Sequence, residues 1–232
     1  MKCNIADLIV DVTPDDTTLK QIGQYLITDD AQPEICVAPK TMVEYAKGTM
    51  INPFQAYQYL SLGNNFYRAL LDYNGMMLHS SAVVVNDKAY LFSAASGTGK
   101  STHTKKWLEL FGINAYILND DKPAIRILED GIYAYGTPWS GKHDISVNKK
   151  VKLQGICFLE RAEKNWIKRM DVQSAFIRIY HGTLHNLTPQ QLDKMIDIIN
   201  TIIAVIPVYQ MGCTPTIEAA QMAYETMSKP SI

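Results

Sequence analysis

The spacing of apolar side chains along the chain changes near residue 74. Before that point, aromatic and aliphatic side chains recur at helical spacing across residues 53–73. These side chains are Phe54, Tyr57, Leu60, Phe66 and Leu70. Beyond it, short apolar runs alternate with turn residues, which is typical of strands joined by tight connections. The change predicts a small N-terminal unit over residues 1–74 and a larger domain over residues 75–232.

The N-terminal unit has the pattern of a small α+β arrangement. Residues 5–12 form an apolar run that predicts a strand, and a Pro-Asp-Asp turn at residues 14–16 ends it. A helix is predicted over residues 17–26 and a second strand over residues 34–37. The long helical pattern described above then completes the unit.

The larger domain alternates strand and helix patterns. A strand pair is predicted on either side of the Asn86-Asp87 turn, and a helix is predicted over residues 99–111. A further helix is predicted to start at Thr188, with Pro189 at its first position. The remaining strands are predicted at residues 115–118, 123–128, 132–135, 151–159 and 207–211, and a closing helix after residue 215. Strands mixed with helices, several of them joined in hairpins, predict an α/β fold with a mixed sheet.

Charge and composition exclude several classes of partner. The 232 residues carry a formal net charge of −1 and show no stripe of Lys or Arg, so we expect no binding to nucleic acid. The longest apolar stretch, residues 196–208, contains Asp197 and Asn200 and is shorter than the ~20 residues of a membrane helix, so we expect no membrane partner. The four cysteines are scattered without a C-x-x-C motif, and the N-terminus has no secretory pattern. The sequence therefore predicts a cytoplasmic protein with reduced thiols.

A strand pattern at residues 89–92 runs into a glycine-rich segment that opens the helix predicted at residue 99. The residues of this segment are Ser96, Gly97, Thr98, Gly99, Lys100, Ser101 and Thr102. A strand, a glycine-rich turn and a helix in this order predict a phosphate loop, whose backbone N–H groups converge on phosphate at a helix N-terminus. In such a loop Lys100 reaches the β- and γ-phosphates, and the Ser101 hydroxyl ligates Mg²⁺. The segment therefore predicts a nucleotide and Mg²⁺ as ligands.

One residue of this loop departs from the general pattern. The pattern places a glycine five residues before Gly99, and Ala94 occupies that position. Alanine accepts most backbone conformations but not a strongly left-handed one. A glycine-rich turn without a ligand is the structural alternative for the segment.

Two adjacent carboxylates, Asp120 and Asp121, follow Asn119 at the end of a predicted strand. Beside a phosphate loop, one carboxylate can support Mg²⁺, and the other can take the proton of an attacking hydroxyl group. A solvated turn is the alternative, because Asn and Asp are common turn residues. His79 precedes the strand pair, and a single histidine is more often structural.

Three segments in this order resemble one branch of the phosphate-loop proteins. They are the stretch around His79, the phosphate loop and the Asn119-Asp120-Asp121 sequence. Together they resemble the catalytic domain of HPr kinase/phosphorylase and the nucleotide site of phosphoenolpyruvate carboxykinase. The resemblance covers residues 76–160 well and the C-terminal part loosely. It implies a phosphate-loop domain with the mixed sheet of that type, preceded here by the small N-terminal α+β unit.

The resemblance also implies roles for single residues. Lys100 matches the phosphate-binding lysine, and Ser101 matches the hydroxyl group that ligates Mg²⁺. His79 matches an active-site histidine that lies near the transferred phosphoryl group. Asp120 matches the aspartate that supports the metal, and Asp121 matches the general base of the kinases. ATP and Mg²⁺ are the implied cofactors, and Asp121, His79 and Lys100 are the implied catalytic residues.

The loop at residues 136–142 resembles a segment of the smaller HPr-kinase-related proteins. On that basis Trp139, Gly141 and Lys142 are expected to border the site, with Lys142 facing phosphate or substrate. An ordinary turn is the alternative, because Thr-Pro and Ser-Gly are common turn dipeptides.

These residues predict an ATP- and Mg²⁺-dependent kinase that phosphorylates a hydroxyl group of a peptide, protein or small metabolite. The N-terminal unit is the candidate for acceptor recognition, because the larger domain carries no obvious acceptor pocket. A phosphorylase or bifunctional enzyme of the same family and a non-catalytic nucleotide sensor are the alternatives, and the oligomeric state stays open between a monomer and a homo-oligomer. His181 and His185, at a spacing that could hold zinc, are set aside because no third ligand is apparent.

Overall fold

The computed structural model describes residues 1–28, 31–41, 53–95, 97–141 and 143–229 of the chain. Two of the predicted site residues, Ser96 and Lys142, lie outside these ranges. The described residues form two β-sheets, one of three strands and one of nine, and helices pack against them. This mixture of helices and strands confirms the predicted α/β fold class.

The smaller sheet belongs to the N-terminal unit. Its strands are β1 (Lys2–Ile5), β2 (Leu8–Val12) and β3 (Ile35–Val37). Strand β1 pairs with β2 in antiparallel register, and β2 pairs with β3 in parallel register. The single strand predicted over residues 5–12 is wrong, because Ala6 and Asp7 form a tight turn with φ angles of 57° and 59°. Positive φ at both central residues is typical of a type I′ hairpin turn. Such turns usually contain Asn or Gly, so the Ala-Asp sequence at residues 6 and 7 did not indicate one.

The helices of the N-terminal unit follow the predicted order with different lengths. Helix α1 (Asp16–Gln21) begins at Asp15, whose side chain accepts hydrogen bonds from two backbone N–H groups of the first turn. It ends within the predicted helical segment, and a short 3₁₀ helix (Gly23–Tyr25) follows. Helix α2 (Phe54–Leu70) confirms the long helical pattern, and a 3₁₀ turn (Leu71–Tyr73) extends it.

The N-terminal unit and the larger domain share one hydrophobic cluster. Leu62, Phe66 and Tyr67 of α2 are fully buried, and the same cluster contains Met77 and Trp139 of the larger domain. Burying an apolar side chain of this size contributes roughly 1.5–3 kcal/mol to folding. The two parts are therefore packed together, and their boundary at residue 74 stays a prediction.

The larger sheet is mixed. Its strands are β4 (Gly75–Met77), β5 (Ser81–Val85), β6 (Lys88–Ser93), β7 (Ala115–Asn119), β8 (Ala124–Leu128), β9 (Gly131–Tyr135), β10 (Lys150–Arg161), β11 (Trp166–Arg169) and β12 (Val208–Cys213). They lie in the order β4-β8-β9-β10-β6-β5-β7, and β12 pairs with the second half of β10 and with β11. Strand β10 is parallel to β6 and β12, and the other pairs are antiparallel. The predicted mixed sheet is thus confirmed.

Helices cover both faces of the larger sheet. They are α3 (Lys100–Phe111), α4 (Val172–His181), α5 (Pro189–Val205) and α6 (Ile217–Met227). Alternate residues of β5 point to opposite faces, so Ala82 and Val84 join a cluster with α4 and α5, whereas Val83 and Val85 join a cluster with α3 and α6. None of the helices in the described ranges has both the length and the apolar character needed to cross a bilayer.

Local patterns predicted most elements of the larger domain but not all of them. The hairpin at Asn86-Asp87 and the helix after the glycine-rich segment are confirmed. Strands β4 and β11 and helix α4 were not predicted. Strand β4 has only three residues, and β11 is an edge strand whose Lys168 and Arg169 are exposed, so neither carries a clear apolar pattern.

Candidate active site

The larger sheet brings the three predicted site segments to one edge. Strand β6 ends at Ser93 and enters the phosphate loop, residues 94–99. Strand β5 runs antiparallel to β6, so its start, shortly after His79, lies beside the end of β6. Strand β7 runs antiparallel to β5, so its end at Asn119 lies at the same edge. His79, the phosphate loop and the aspartate pair therefore converge because of the strand order.

The backbone of the phosphate loop takes a conformation that glycine permits. Gly97 and Gly99 have φ angles of +76° and +116°, which residues with a Cβ atom rarely adopt. Ala94 does not have a positive φ angle, so alanine fits there without strain. Gly99 precedes α3, and no side chain caps this helix start, so its first N–H groups are available to an anion.

The side chain of Lys100 folds back across the phosphate loop. Its Nζ atom lies 3.2 Å from the carbonyl oxygen of Ala94 and 3.2 Å from Nε2 of His79. Burial lowers the pKa of Lys100, and the nearby carboxylates of Asp121 and Asp120 oppose that shift. The ammonium group is therefore held beside the loop, where phosphate oxygens would replace its present partners.

Asp120 is hydrogen-bonded to two hydroxyl groups. Its Oδ2 atom accepts a hydrogen bond from Ser101 Oγ at 3.0 Å, and its Oδ1 atom accepts one from Ser81 Oγ at 2.6 Å. The predicted metal pair, Ser101 and Asp120, is thus adjacent in space. Across the described residues, no group of three or more His, Cys, Asp or Glu side chains converges on a metal position. A Mg²⁺ ion here would take further ligands from phosphate oxygens and water, as it commonly does beside nucleotides.

Asp121 lies between a histidine and a lysine. Its Oδ1 atom is 3.2 Å from Nε2 of His79, and its Oδ2 atom is paired with Nζ of Lys122. Burial raises the pKa of Asp121, but the hydrogen bond from His79 and the charge of Lys122 outweigh it and lower the pKa to about 2. Asp121 is therefore ionised at neutral pH and can accept a hydrogen bond from a hydroxyl group.

The imidazole ring of His79 stands between Lys100 and Asp121. With a hydrogen on Nε2 the ring donates a hydrogen bond to Asp121, whereas without one Nε2 accepts a hydrogen bond from Lys100, so the two contacts require different tautomers. The backbone N–H of His79 donates to the carbonyl oxygen of Gly182 at 2.8 Å, and its carbonyl oxygen accepts from Ser93 Oγ at 2.8 Å. The backbone of His79 is thus fixed at both its N–H and its carbonyl group, and the ring is within hydrogen-bond distance of both neighbours.

Two neighbours of the aspartate pair were not predicted as site residues. Lys122 pairs with Asp121, and Asn119 is fully buried. The Oδ1 atom of Asn119 accepts hydrogen bonds from the backbone N–H groups of Asp121 at 3.0 Å and Lys122 at 2.8 Å, and Nδ2 donates to the carbonyl oxygen of Thr137 at 3.0 Å. Asn119 therefore fixes the turn that carries both carboxylates. The sequence signal that could have identified Asn119 is the tendency of Asn-Asp-Asp to form a turn, because this turn holds both carboxylates at the site.

The 136–142 loop borders the site, but its tryptophan does not. Trp139 is 1% exposed and stacks on Phe66 with ring centroids 4.9 Å apart. The prediction that Trp139 borders the site is corrected, because its ring packs in the core shared with the N-terminal unit and does not line the cavity. Gly141 does line the cavity, and a Cβ atom at this position would lie 3.0 Å from Cβ of Asp121. Lys142 lies outside the described residues.

Side chains of the N-terminal unit hold Gly141 in this position. The N–H group of Gly141 donates to the hydroxyl oxygen of Tyr59 at 3.2 Å, and its carbonyl oxygen accepts from Nε2 of Gln21 at 3.3 Å. Tyr25 and Ser146 are joined through their hydroxyl groups at 3.1 Å just beyond the loop. The N-terminal unit therefore supports one wall of the site.

These segments enclose a first cavity of about 520 Å³. Its walls include His79, Lys100, Ser101, Asp120, Asp121 and Gly141. A second cavity of about 400 Å³ lies on the other flank of the phosphate loop, beside Thr98 and His103. It is also lined by Arg161, whose Nη2 atom donates to the carbonyl oxygen of Gly97 at 2.7 Å and which was not predicted as a site residue. Both volumes fall in the range of small-molecule sites.

Comparison with known proteins gives a distant structural likeness and no family. No family model matches the chain, and no curated protein matches it. Among solved structures, the chain is similar to the HPr(Ser) kinase/phosphatase from Coxiella burnetii, at 9% sequence identity and a TM-score of 0.40, over 64% of this chain and 94% of that chain. A likeness this distant transfers no residue role.

Proposed function

We propose that this protein is a kinase that transfers the γ-phosphoryl group of ATP to a hydroxyl group, with Mg²⁺ as its cofactor. The supporting observation is the convergence of a phosphate loop with a base, a histidine and a lysine on one cavity. Lys100, His79 and Asp121 form a continuous series of contacts, each of 3.2 Å. A structural turn that binds no ligand does not require these three charged or titratable side chains to converge on one cavity.

The phosphate loop and Lys100 would bind the phosphates of ATP. The predicted nucleotide-binding set is Ser96, Gly97, Thr98, Gly99, Lys100, Ser101 and Thr102, of which Ser96 lies outside the described residues. Converging N–H groups and the start of α3 favour an anion at this place. Ser101 and Asp120 would hold Mg²⁺, which when bound neutralises charge on the β- and γ-phosphates.

Asp121 would orient the acceptor hydroxyl group. The hydroxyl oxygen forms a bond to the γ-phosphorus, the bond from that phosphorus to the bridging oxygen breaks, and ADP leaves with the electron pair. The hydroxyl proton passes to Asp121 late in the step, because phosphoryl transfer in most analyses has a loose transition state. Late transfer suits a carboxylate whose pKa is about 2 and which is therefore a weak base.

Residues 1–74 are proposed to contribute to acceptor recognition. Tyr59 and Gln21 of this unit hold Gly141 on the cavity wall, where Gly141 packs close to Asp121. An acceptor whose hydroxyl group reaches Asp121 would lie beside this wall. In a phosphorylase, the same site would let inorganic phosphate take the phosphoryl group from a phosphorylated hydroxyl group, so that pyrophosphate and the free hydroxyl group form. A nucleotide sensor, by contrast, would not require the contact between Asp121 and His79.

Replacing the proposed base separates catalysis from nucleotide binding. We expect Asp121→Asn to lower Mg²⁺-dependent ATP turnover about 10³-fold, within the usual range for loss of a general base. Nucleotide affinity should change little, because the phosphate loop and Lys100 are retained. Turnover is measured as ADP release with and without hydroxyl acceptors, and affinity is measured with a fluorescent ATP analogue.

Asp130→Asn is the matched control, because Asp130 is an exposed turn residue that contacts Tyr133 and does not line the cavity. It should turn over ATP at the wild-type rate. Normal turnover by Asp121→Asn would exclude Asp121 as the base. Tight nucleotide binding by the wild-type protein with no turnover for any acceptor would favour the nucleotide sensor.

A further inference from the structure

His79 also lines a third cavity, of about 280 Å³, that adjoins the first one. Its other walls include Ala94, Ala95, Phe158, Leu159, Arg178 and His181. Ala94 and Ala95 belong to the phosphate loop, while Arg178 and His181 belong to α4, a helix that was not predicted. The third cavity is therefore built between the phosphate loop, β10 and α4.

The third cavity lies beside the first residues of the phosphate loop, which the side chain of Lys100 contacts. Nζ of Lys100 contacts the carbonyl oxygen of Ala94 and Nε2 of His79, each at 3.2 Å, and both of those residues line the third cavity. Because the lysine of such a loop binds the β- and γ-phosphates, this end lies next to the group that is transferred. A molecule bound here is placed to present a hydroxyl group to the γ-phosphorus.

Arg178 of α4 makes one wall of the third cavity cationic. Arg178 and His181 are three residues apart on the helix, so they lie on one side of it. Over the described residues, the guanidinium group of Arg178 has no hydrogen bond or ion pair, and none of the described lining residues is an Asp or a Glu. A guanidinium group binds a carboxylate through two parallel hydrogen bonds, so an unpaired one in a cavity favours such a ligand.

The remaining wall is formed by the end of β10. Phe158 is a buried apolar residue on the face of the sheet that α4 covers, whereas Leu159 packs on the opposite face. Arg178 and His181 are themselves exposed, so an ion pair formed with Arg178 is open to water and is weakened by salt. The third cavity thus places an exposed cationic group beside one apolar side chain, next to the proposed site of transfer.

We propose that the third cavity binds a carboxylate group of the acceptor, with Arg178 as its main partner and His181 beside it. The proposal rests on the kinase function above and narrows the acceptor to a unit that carries both a hydroxyl and a carboxylate group. Such a unit is a hydroxy acid, either free or as the terminal residue of a peptide. A cavity of about 280 Å³ holds a unit of this size but is at the lower limit for larger ligands.

Three small probes test the proposal. N-acetyl-L-serine has both groups and mimics a terminal residue, glycerate is a free hydroxy acid, and N-acetyl-L-serinamide lacks the carboxylate. We expect transfer to at least one of the two acids with a kcat/KM about tenfold above that of the amide, as for a gained charge-assisted contact. Arg178→Gln should remove this preference without changing nucleotide affinity, and Arg169→Gln, an exposed arginine of β11 outside the cavity, should keep it.

A binding measurement keeps the test independent of turnover. The ring signals of His181 in NMR spectra should shift with an acid probe and not with the amide, and the shift should disappear in Arg178→Gln. If the shift appears but no phosphoryl transfer is found, the carboxylate site stands and the kinase function fails. The proposal is overturned if neither acid shifts His181, if the amide acts equally, if the shift persists in Arg178→Gln, or if inorganic phosphate alone produces it.

Discussion

Two glycine-containing loops face the first cavity from different sides, and their glycines serve different purposes. In the phosphate loop, Gly97 and Gly99 have positive φ angles, and a Cβ atom at Gly97 would meet no atom of the described residues within 4 Å. In the 136–142 loop, a Cβ atom at Gly136 would lie 2.0 Å from the carbonyl oxygen of Val147. The phosphate loop needs glycine for its backbone shape, while the second loop needs it to let two backbones approach.

This difference indicates how each loop serves the site. Open space around the phosphate loop leaves room for the phosphates that, in the proposed function, its backbone N–H groups would bind. The described part of the second loop, residues 136–141, is instead fixed by packing, since Trp139 is buried on Phe66 and Gly141 is held by Tyr59. The first loop has the open backbone shape that the proposed ligand requires, and the second is a packed wall that places Gly141 against Asp121.

The largest effect is expected where packing requires glycine. Gly136→Ala would force its Cβ atom against two backbone oxygens, those of Val147 at 2.0 Å and Leu118 at 2.8 Å. The backbone atoms cannot rotate out of contact with the new methyl group as a side chain could. We therefore expect the free energy of unfolding to fall by about 3 kcal/mol. Urea unfolding followed by circular dichroism measures the change.

Gly23→Ala is the control for this substitution. No atom lies within 4 Å of a Cβ atom at Gly23, and its φ angle is not positive. The change should leave stability equal or raise it by about 0.5 kcal/mol, because alanine restricts the unfolded chain. Equal unfolding midpoints for Gly136→Ala and the wild-type protein would show that the second loop is not held by close packing.

Sequence patterns were sufficient where the cause of a structure is local. The glycine-rich turn before α3, the helix itself and the hairpin at Asn86-Asp87 depend on glycines, apolar alternation and turn residues within a few positions of each other. The aspartate pair could be singled out because it ends a strand. Its convergence with His79, by contrast, depends on the antiparallel pairing of β5 with β6 and β7.

Features that depend on distant contacts were mispredicted or missed. The residues that flank Trp139 in the sequence are typical of an exposed turn. Its ring is nevertheless buried, because it stacks on Phe66, which lies far earlier in the chain. Arg178 looks like an ordinary surface residue of a helix. Only the position of α4 beside the phosphate loop turns it into a wall of the third cavity. No pattern within a short window contains that information.

A smaller effect, on binding rather than folding, is expected in the phosphate loop. Gly97→Ala meets no steric obstacle, but its φ angle of +76° costs an L-residue about 1–2 kcal/mol. Relaxation of the backbone would turn N–H groups away from the phosphates, so we expect nucleotide affinity to fall about tenfold, which corresponds to about 1.4 kcal/mol. Isothermal titration with ATP and Mg²⁺ measures it.

Gly112→Ala separates backbone strain from ligand binding. Gly112 also has a positive φ angle, +53°, with no atom within 4 Å of a Cβ position, but it lies at the far end of α3. This variant should lose stability and keep wild-type nucleotide affinity. If both variants bind nucleotide as the wild-type protein does, the shape of the phosphate loop at Gly97 is not required for binding.

The smallest effect is expected from the contact that holds Gly141. Tyr59→Phe removes the hydroxyl group that accepts a hydrogen bond from Gly141 at 3.2 Å, and this should lower the free energy of unfolding by about 1 kcal/mol. Because the atoms nearest to a Cβ position at Gly141 all belong to Asp121, we expect ATP turnover to fall while nucleotide affinity stays unchanged. Steady-state kinetics and nucleotide titration on the same preparation give both quantities.

Tyr133→Phe is the control for loss of a tyrosine hydroxyl group, because Tyr133 donates to Asp130 and does not line the cavity. It should leave turnover unchanged. If Tyr59→Phe lowers stability but not turnover, the wall formed by the 136–142 loop does not need this anchor. If it lowers nucleotide affinity as well, the two loops are coupled through Asp121. Separate roles for the two loops, one in binding the ligand and the other in forming the wall, would then be contradicted.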